Sequence, residues 1–200
     1  GYLQKTYEIC KKHNVLYMAD EIQTGLGRTG KLFCCDHEGV KADIIIIGKA
    51  LGGGAYPVSA ILADNNIMDV YTPGDHGSTF GGNPVAARVA IAALEVVAEE
   101  KLAEKAEHLG KIFRGEMNKL MSETKLITLV RGKGLLNAVV INDSPESKTA
   151  WNICVKMAEL GVLAKPTHGN IIRFAPPLVI SEEQLMDAIG RIRKAFLSFS

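Results

Sequence analysis

Four consecutive isoleucines, Ile44–Ile47, run without a polar interruption and stop on Gly48-Lys49. A strand with one face in water alternates apolar and polar residues, whereas a strand covered on both faces has no need to alternate. The run therefore predicts a buried strand in a sheet with helices outside it. Val15-Leu16-Tyr17-Met18-Ala19 repeats the pattern and ends at Asp20-Glu21, and Pro57–Ala63 reads as another central strand. These runs confine the first part of the chain to the α/β class with a mostly parallel sheet.

The helical signals have a different period. Leu3, Tyr7 and Cys10 share one face, with Asn14 as the stop. Asn83-Pro84 is a capped helix start, and its helix is expected to run towards Glu100. Leu102, Ala106, Leu109, Phe113, Met117 and Leu120 recur every three or four residues, as on an amphipathic helix. Beyond Glu123 come short strands, 126–130 and 135–141, and a helix over 148–160 stopped by Gly161, with Trp151 on its inward face. Ser181-Glu182-Glu183-Gln184 is a capping box. The helix it opens is expected to bury Leu185, Ile189, Ile192, Phe196 and Phe199. The expected organisation is residues 1–105 in a large α/β domain and 106–200 in a small α+β domain.

With Lys+Arg 23 against Asp+Glu 22, the formal charge of +1 offers no electrostatic reason to expect nucleic acid or a membrane surface as partner. No apolar run is longer than a strand, and no signal-peptide pattern is present. The four cysteines, Cys10, Cys34, Cys35 and Cys154, form no C-x-x-C pair and read as reduced packing residues of an intracellular protein. The chain opens without methionine and directly into a helical pattern, as a fragment or a cleaved mature chain does.

Chemistry is expected where the strands stop. Ligands of open α/β sheets bind beyond the carboxyl ends of the strands, and Asp20 and Lys49 occupy two such ends. One reading is a plain salt bridge. The other is a site for pyridoxal phosphate, which needs a lysine for its Schiff base and an acid beside its pyridine nitrogen. Partial desolvation would free the lysine amine as a nucleophile. Gln23, three residues after Asp20, is placed to donate to the ring's phenolic oxygen. A third cluster, Gly74 to Pro84, sets small residues and the hydroxyls of Ser78 and Thr79 just before a helix start. It suits a phosphate, or is simply a capped polar loop.

Two other patterns fail on mechanics. Gly25-Leu26-Gly27-Arg28-Thr29-Gly30-Lys31 fits both G-x-G-x-x-G and G-x-x-x-x-G-K. A P-loop needs Ser or Thr after its lysine, where Leu32 stands, and a dinucleotide loop needs its glycines directly between strand and helix. Here Asp20 to Thr24 intervene. Cys34-Cys35-Asp36-His37 invites a metal, but adjacent cysteines chelate one zinc poorly and no second ligand pair follows, so no metal is expected.

Asp20–Gly30, Gly48–Gly54 and Gly77–Pro84, in this order, closely resemble the class III pyridoxal-phosphate-dependent aminotransferases, and the resemblance extends over essentially all 200 residues. It implies the C-terminal half of a fold type I large domain followed by the small C-terminal domain. It also implies that Lys49 attaches pyridoxal 5'-phosphate, Asp20 pairs with its pyridinium nitrogen and Gln23 bonds its phenolic oxygen. In the family the residue matching Thr79, beside Ser78, reaches the phosphate of the neighbouring subunit's cofactor, which implies a homodimer or larger assembly. Arg173 matches an arginine that meets the substrate carboxylate, a task suited to its planar fork. The plainer alternative is a surface arginine paired with a carboxylate.

Tyr56–Ala60 and Ile171–Leu178 look most like the members that act on ornithine, with those that act on acetylornithine the nearest rivals. The implied reaction passes the δ-amino group of ornithine to 2-oxoglutarate, in the bacterial cytoplasm or the mitochondrial matrix. The resemblance covers only the later half of a family chain. The loop that holds the phosphate, the aromatic that stacks on the ring and the glutamate partner of Arg173 are expected outside these residues. Alone, the chain is not expected to be competent, and transfer from another ω-amino acid or a non-catalytic assembly piece are the remaining alternatives.

Overall fold

The isoleucine run forms the middle strand of its sheet. In the computed structural model, which describes residues 1–199, Ile44–Ile47 (β2) lies between Met18–Asp20 (β1) and Ala60–Ala63 (β3). β1 and β2 are parallel, with Met18 opposite Ile44 and Asp20 opposite Ile46. β3 is antiparallel to β2 and, among the described residues, pairs with β2 alone, so this sheet is not purely parallel. Pro57 has no N–H to offer a ladder, which delays the strand to Ala60. Before it, Gly53 and Gly54 take φ of +57° and +80°, open to glycine at little steric cost, and the chain turns back there. The expected double covering is incomplete: Met18, Ile61 and Leu62 are exposed, and Ile44 to Ile46 are only half-buried.

The chain divides into two compact units, Gly1–Ala103 and Glu104 onward. In the first, Tyr2–Lys12 (α1) packs Leu3, Tyr7 and Cys10 against Tyr17, Ala19, Cys35, Val40 and Ala42. Asn14 ends the helical segment at φ +52°, a conformation asparagine tolerates better than most residues. β1 is shorter than its apolar run because the Tyr17 N–H is taken by the Asp43 carboxylate at 2.7 Å. After the short helix Asn65–Met68 (α2), Pro84–Glu99 (α3) begins as expected, with the Asn83 side chain accepting the Ala86 N–H at 2.9 Å.

Asp43 also receives Lys11 Nζ at 2.5 Å. The Lys11 hydrogen bond first, and the Tyr17 N–H second, hold its carboxyl below the usual carboxylate range. A carboxyl depressed in the folded state adds stability that is fully present above its unfolded pKa of about 3.9 and is lost as pH falls through the lower folded value. Asp43→Asn is therefore expected to lower the unfolding midpoint at pH 7. It is also expected to flatten the loss of stability below about pH 4, as followed by thermal melts across pH.

The second unit is an antiparallel sheet in the order β4-β5-β7-β6, formed by Ile127–Lys133, Leu136–Ile141, Ile171–Phe174 and Lys165–Thr167. Its helices are Leu102–Glu123 (α4), Thr149–Glu159 (α5) and Glu182–Leu197 (α6). The predicted α4 stripe is the buried one, with Ala106, Leu109, Phe113, Met117 and Leu120 all at most 2% exposed. Phe113 and Phe196 are fully enclosed, and truncating either to alanine is worth about 3–5 kcal/mol. The capping box of α6 forms, with Ser181 and Gln184 each accepting the other's N–H.

Two expectations fail here. Trp151 is 58% exposed, because the inward face of α5 is the stripe Ala150, Ile153, Cys154 and Met157, and Trp151 stands beside it. Phe199 lies beyond the end of α6 and is exposed.

Gly110, in the middle of α4, meets the turn between β4 and β5. A Cβ built on it would stand 1.9 Å from the Gly134 carbonyl oxygen. One turn on, Arg114 Nη1 donates to that same carbonyl at 3.0 Å and to Asn137 Oδ1 at 2.9 Å. Asn137 is buried, and its Nδ2 donates to the Gly134 oxygen as well. No described helix is long and apolar enough to cross a membrane.

Candidate cofactor site at the strand ends

Because β1 and β2 are parallel, their carboxyl ends open on one edge of the sheet. Asp20 is the last residue of β1, and the ladder continues one step further through the Glu21 N–H to the Ile46 carbonyl at 2.9 Å. Asp20 is exposed, and its Oδ1 accepts the Ile22 N–H at 3.1 Å. On the next strand, Gly48 leads into a 3-10 turn, Lys49–Gly52, so that Lys49 stands two residues past the end of β2. Adjacent strands lie about 4.8 Å apart, which sets Asp20 and Lys49 on neighbouring strand ends. Among the described residues no ion pair joins them, so the salt-bridge reading is not what forms.

Lys49 adopts φ +50°, a left-handed conformation that disfavours a residue with a Cβ by about 1–2 kcal/mol. Strain of this kind concentrates where geometry serves function. Its side chain is exposed, against the expectation of partial desolvation. In the residues that follow, Leu51 goes into the core with Leu26 and Ile47, and Gly52 to Gly54 place no bulk beside the amine.

Gln23 shares one loop with Asp20. That loop winds tightly: Gly25 N–H donates to the Glu21 carbonyl at 2.9 Å, and a Cβ on Gly25 would meet that oxygen at 2.8 Å. Ser78 and Thr79 lie on an exposed stretch organised by its own bonds. Asp75 accepts the N–H and hydroxyl of Thr72, and Ser78 Oγ accepts the Gly81 N–H at 2.9 Å. No hydrogen bond among the described residues ties either of them to Asp20 or Lys49. Arg173 belongs to the second unit, in β7, half-buried opposite Ala138 and Lys165.

A carboxylate, a primary amine and an amide held at adjacent strand ends are the donor set that pyridoxal phosphate requires, and the glycines after the lysine leave room for a ring. The residues fit the cofactor. Sequence reasoning passed over Glu21, which is buried although it follows a strand end. Its signal was faint: a second carboxylate beside an apparent site acid, with a threonine three residues on.

The chain belongs to the class-III aminotransferase family, whose model matches residues 1–196. It is 57% identical over 196 residues to an ornithine aminotransferase of Schizosaccharomyces pombe, and 55% identical over 199 residues to the mitochondrial ornithine aminotransferase of Rattus norvegicus. These alignments take in 98% and 100% of this chain but 44% and 45% of the relatives, so the chain spans about half the length of the curated relatives it matches. Among solved structures, an acetylornithine aminotransferase from Elizabethkingia anophelis superimposes with a TM-score of 0.97 at 65% identity, covering all of this chain and 50% of that one. An ornithine aminotransferase from Plasmodium yoelii gives 0.94 at 48% identity, covering all of this chain and 52% of that one.

Proposed function

We propose that this chain is the lysine-bearing part of a pyridoxal-phosphate-dependent transaminase. In its full-length form the enzyme moves the δ-amino group of L-ornithine to 2-oxoglutarate, giving glutamate 5-semialdehyde and glutamate. The observation that carries the reading is Lys49 and Asp20 at the ends of adjacent parallel strands. When bound, the cofactor supplies an electron sink for the carbon from which a proton is removed. Lys49 would hold the cofactor through its Nζ, and as a primary amine it would also serve as the base that moves the proton. Asp20 would keep a proton on the ring nitrogen, and Gln23 would donate to the phenolic oxygen.

Ser78 and Thr79 are assigned to the phosphate of a neighbouring subunit's cofactor, so the working form is a homodimer or larger. Arg173 is assigned to the substrate carboxylate, where its fork makes two parallel hydrogen bonds. Residues 1–105 are assigned to the cofactor-bearing large domain and 106–200 to the small domain. The bacterial cytoplasm or the mitochondrial matrix is the compartment assigned.

A second reading keeps the chemistry and changes the donor to N-acetylornithine, favoured by the 65% identity to the Elizabethkingia anophelis structure. Assay of the full-length enzyme with both donors and 2-oxoglutarate decides between them. The expected result is a kcat/KM for ornithine at least about tenfold above that for acetylornithine. The reverse preference selects the second reading, transfer from neither donor points to another ω-amino acid, and failure to bind the cofactor at all leaves the non-catalytic one.

A further inference from the structure

We propose that Glu21 is a positioning residue of the cofactor site, a buried carboxylate that fixes the loop carrying Asp20 and Gln23; the inference rests on the pyridoxal-phosphate reading above. Glu21 is 3% exposed, and its polar atoms are all engaged. Oε1 accepts the Cys35 N–H at 2.9 Å, and Oε2 accepts the Thr24 hydroxyl at 2.5 Å. Its own N–H donates to the Ile46 carbonyl, and its own carbonyl accepts the Gly25 N–H. Burial first, then the charge of Glu21, pushes the Cys35 thiol up to about 11, so it stays protonated beside the carboxylate.

A buried carboxylate is costly unless several donors satisfy it. Among the described residues it has no ion-pair partner, so neutral donors alone hold it. Those donors come from two places: Thr24, within the loop, and Cys35, in the 3-10 turn Cys34–His37. The carboxylate thereby ties the loop after β1 to a second segment, while its backbone continues the β1–β2 ladder. Asp20 and Gln23 flank this anchor on either side. Both are exposed, both sit on the backbone that Glu21 holds, and the Ile22 N–H that Asp20 accepts belongs to the same loop. Positioning of this kind matters because a misplacement of about 1 Å is worth on the order of a hundredfold in rate.

The test uses the full-length holoenzyme with Glu21→Gln, Thr24→Val and, as a control for lost stability, Leu3→Ala in α1. In Glu21→Gln one acceptor oxygen becomes an NH2 that faces a donor. Its dissociation constant for pyridoxal phosphate is expected to rise about ten- to a hundredfold. The visible circular dichroism of the bound cofactor and the pH profile of kcat are expected to change with it, while KM for the amino donor stays within about threefold. Thr24→Val removes one donor and is expected to raise the dissociation constant about fivefold. Leu3→Ala is expected to lower the unfolding midpoint with cofactor affinity and dichroism unchanged. Wild-type affinity and dichroism in Glu21→Gln, or in Thr24→Val should Glu21→Gln not fold, would overturn the proposal. So would equal losses in Leu3→Ala, which would make Glu21 a matter of stability alone. A wild-type enzyme that binds no pyridoxal phosphate overturns the underlying reading, and this one with it.

Discussion

Lys49→Ala in the full-length enzyme is expected to reduce amino transfer by on the order of 10⁴-fold or more while leaving the fold intact. The chemical half of this expectation comes from the amine. No neighbouring side chain at this edge offers a second primary amine at a strand end, and arginine is no substitute because its guanidinium stays protonated. The structural half comes from exposure: the Lys49 side chain makes no ion pair among the described residues, so its removal leaves no buried partner behind. Lys49→Gly sharpens the test. At φ +50° glycine relieves the left-handed strain, and this variant is expected to be more stable than Lys49→Ala by about 1 kcal/mol and equally inactive. Activity assay and denaturant titration of the two variants separate chemistry from folding. Sustained turnover in either would sink the assignment of Lys49.

The second large effect is on stability. Glycine within a helix is ordinarily worth about 1 kcal/mol less than alanine, so a helical Gly→Ala change usually stabilises. At Gly110 the sign reverses, because the added methyl would meet the Gly134 carbonyl at 1.9 Å, a backbone atom that no rotamer change can move. Parting α4 from the β4–β5 turn would also strain the bonds from Arg114 to Gly134 and Asn137. Gly110→Ala is expected to destabilise the second unit by about 3 kcal/mol, lowering its melting temperature by more than about 10 °C. Gly115, on the same helix, has nothing within 4 Å of an added Cβ and is exposed. Gly115→Ala is expected to stabilise by about 0.5–1 kcal/mol. Two identical substitutions five positions apart, opposite in sign, would be read by parallel thermal melts. A mild effect at Gly110 would show that α4 and the turn can separate cheaply.

Features carried by local period were legible before any coordinates. The α4 stripe follows from a 3.6-residue repeat, the α6 cap from four consecutive residues, and Asp20 and Lys49 from the abrupt end of apolar runs. What local pattern cannot encode is pairing. An apolar run such as 57–63 says nothing about whether its partner lies parallel or antiparallel, and β3 proved antiparallel. Trp151 departs from its expected inward face because the stripe of Ala150, Ile153, Cys154 and Met157 fills that face and leaves no room for an indole. Glu21 stayed hidden for the same reason as β3. Its burial depends on Cys35, fourteen residues further on, and no window around Glu21 contains that donor.

The small sheet of the first unit has a further consequence for behaviour in a test tube. β1 and β3 each pair on one side alone among the described residues, which leaves rows of backbone donors and acceptors facing outward. Met18, Ile61 and Leu62 put greasy side chains beside those rows, and consecutive Ile61 and Leu62 point to opposite faces. Such a surface is adhesive: it templates any extended segment that comes near, another copy of itself included. Concentrating these residues by themselves is a recipe for stacking and precipitation, and a neighbour that seals both flanks acts as a stopper as much as a source of stability.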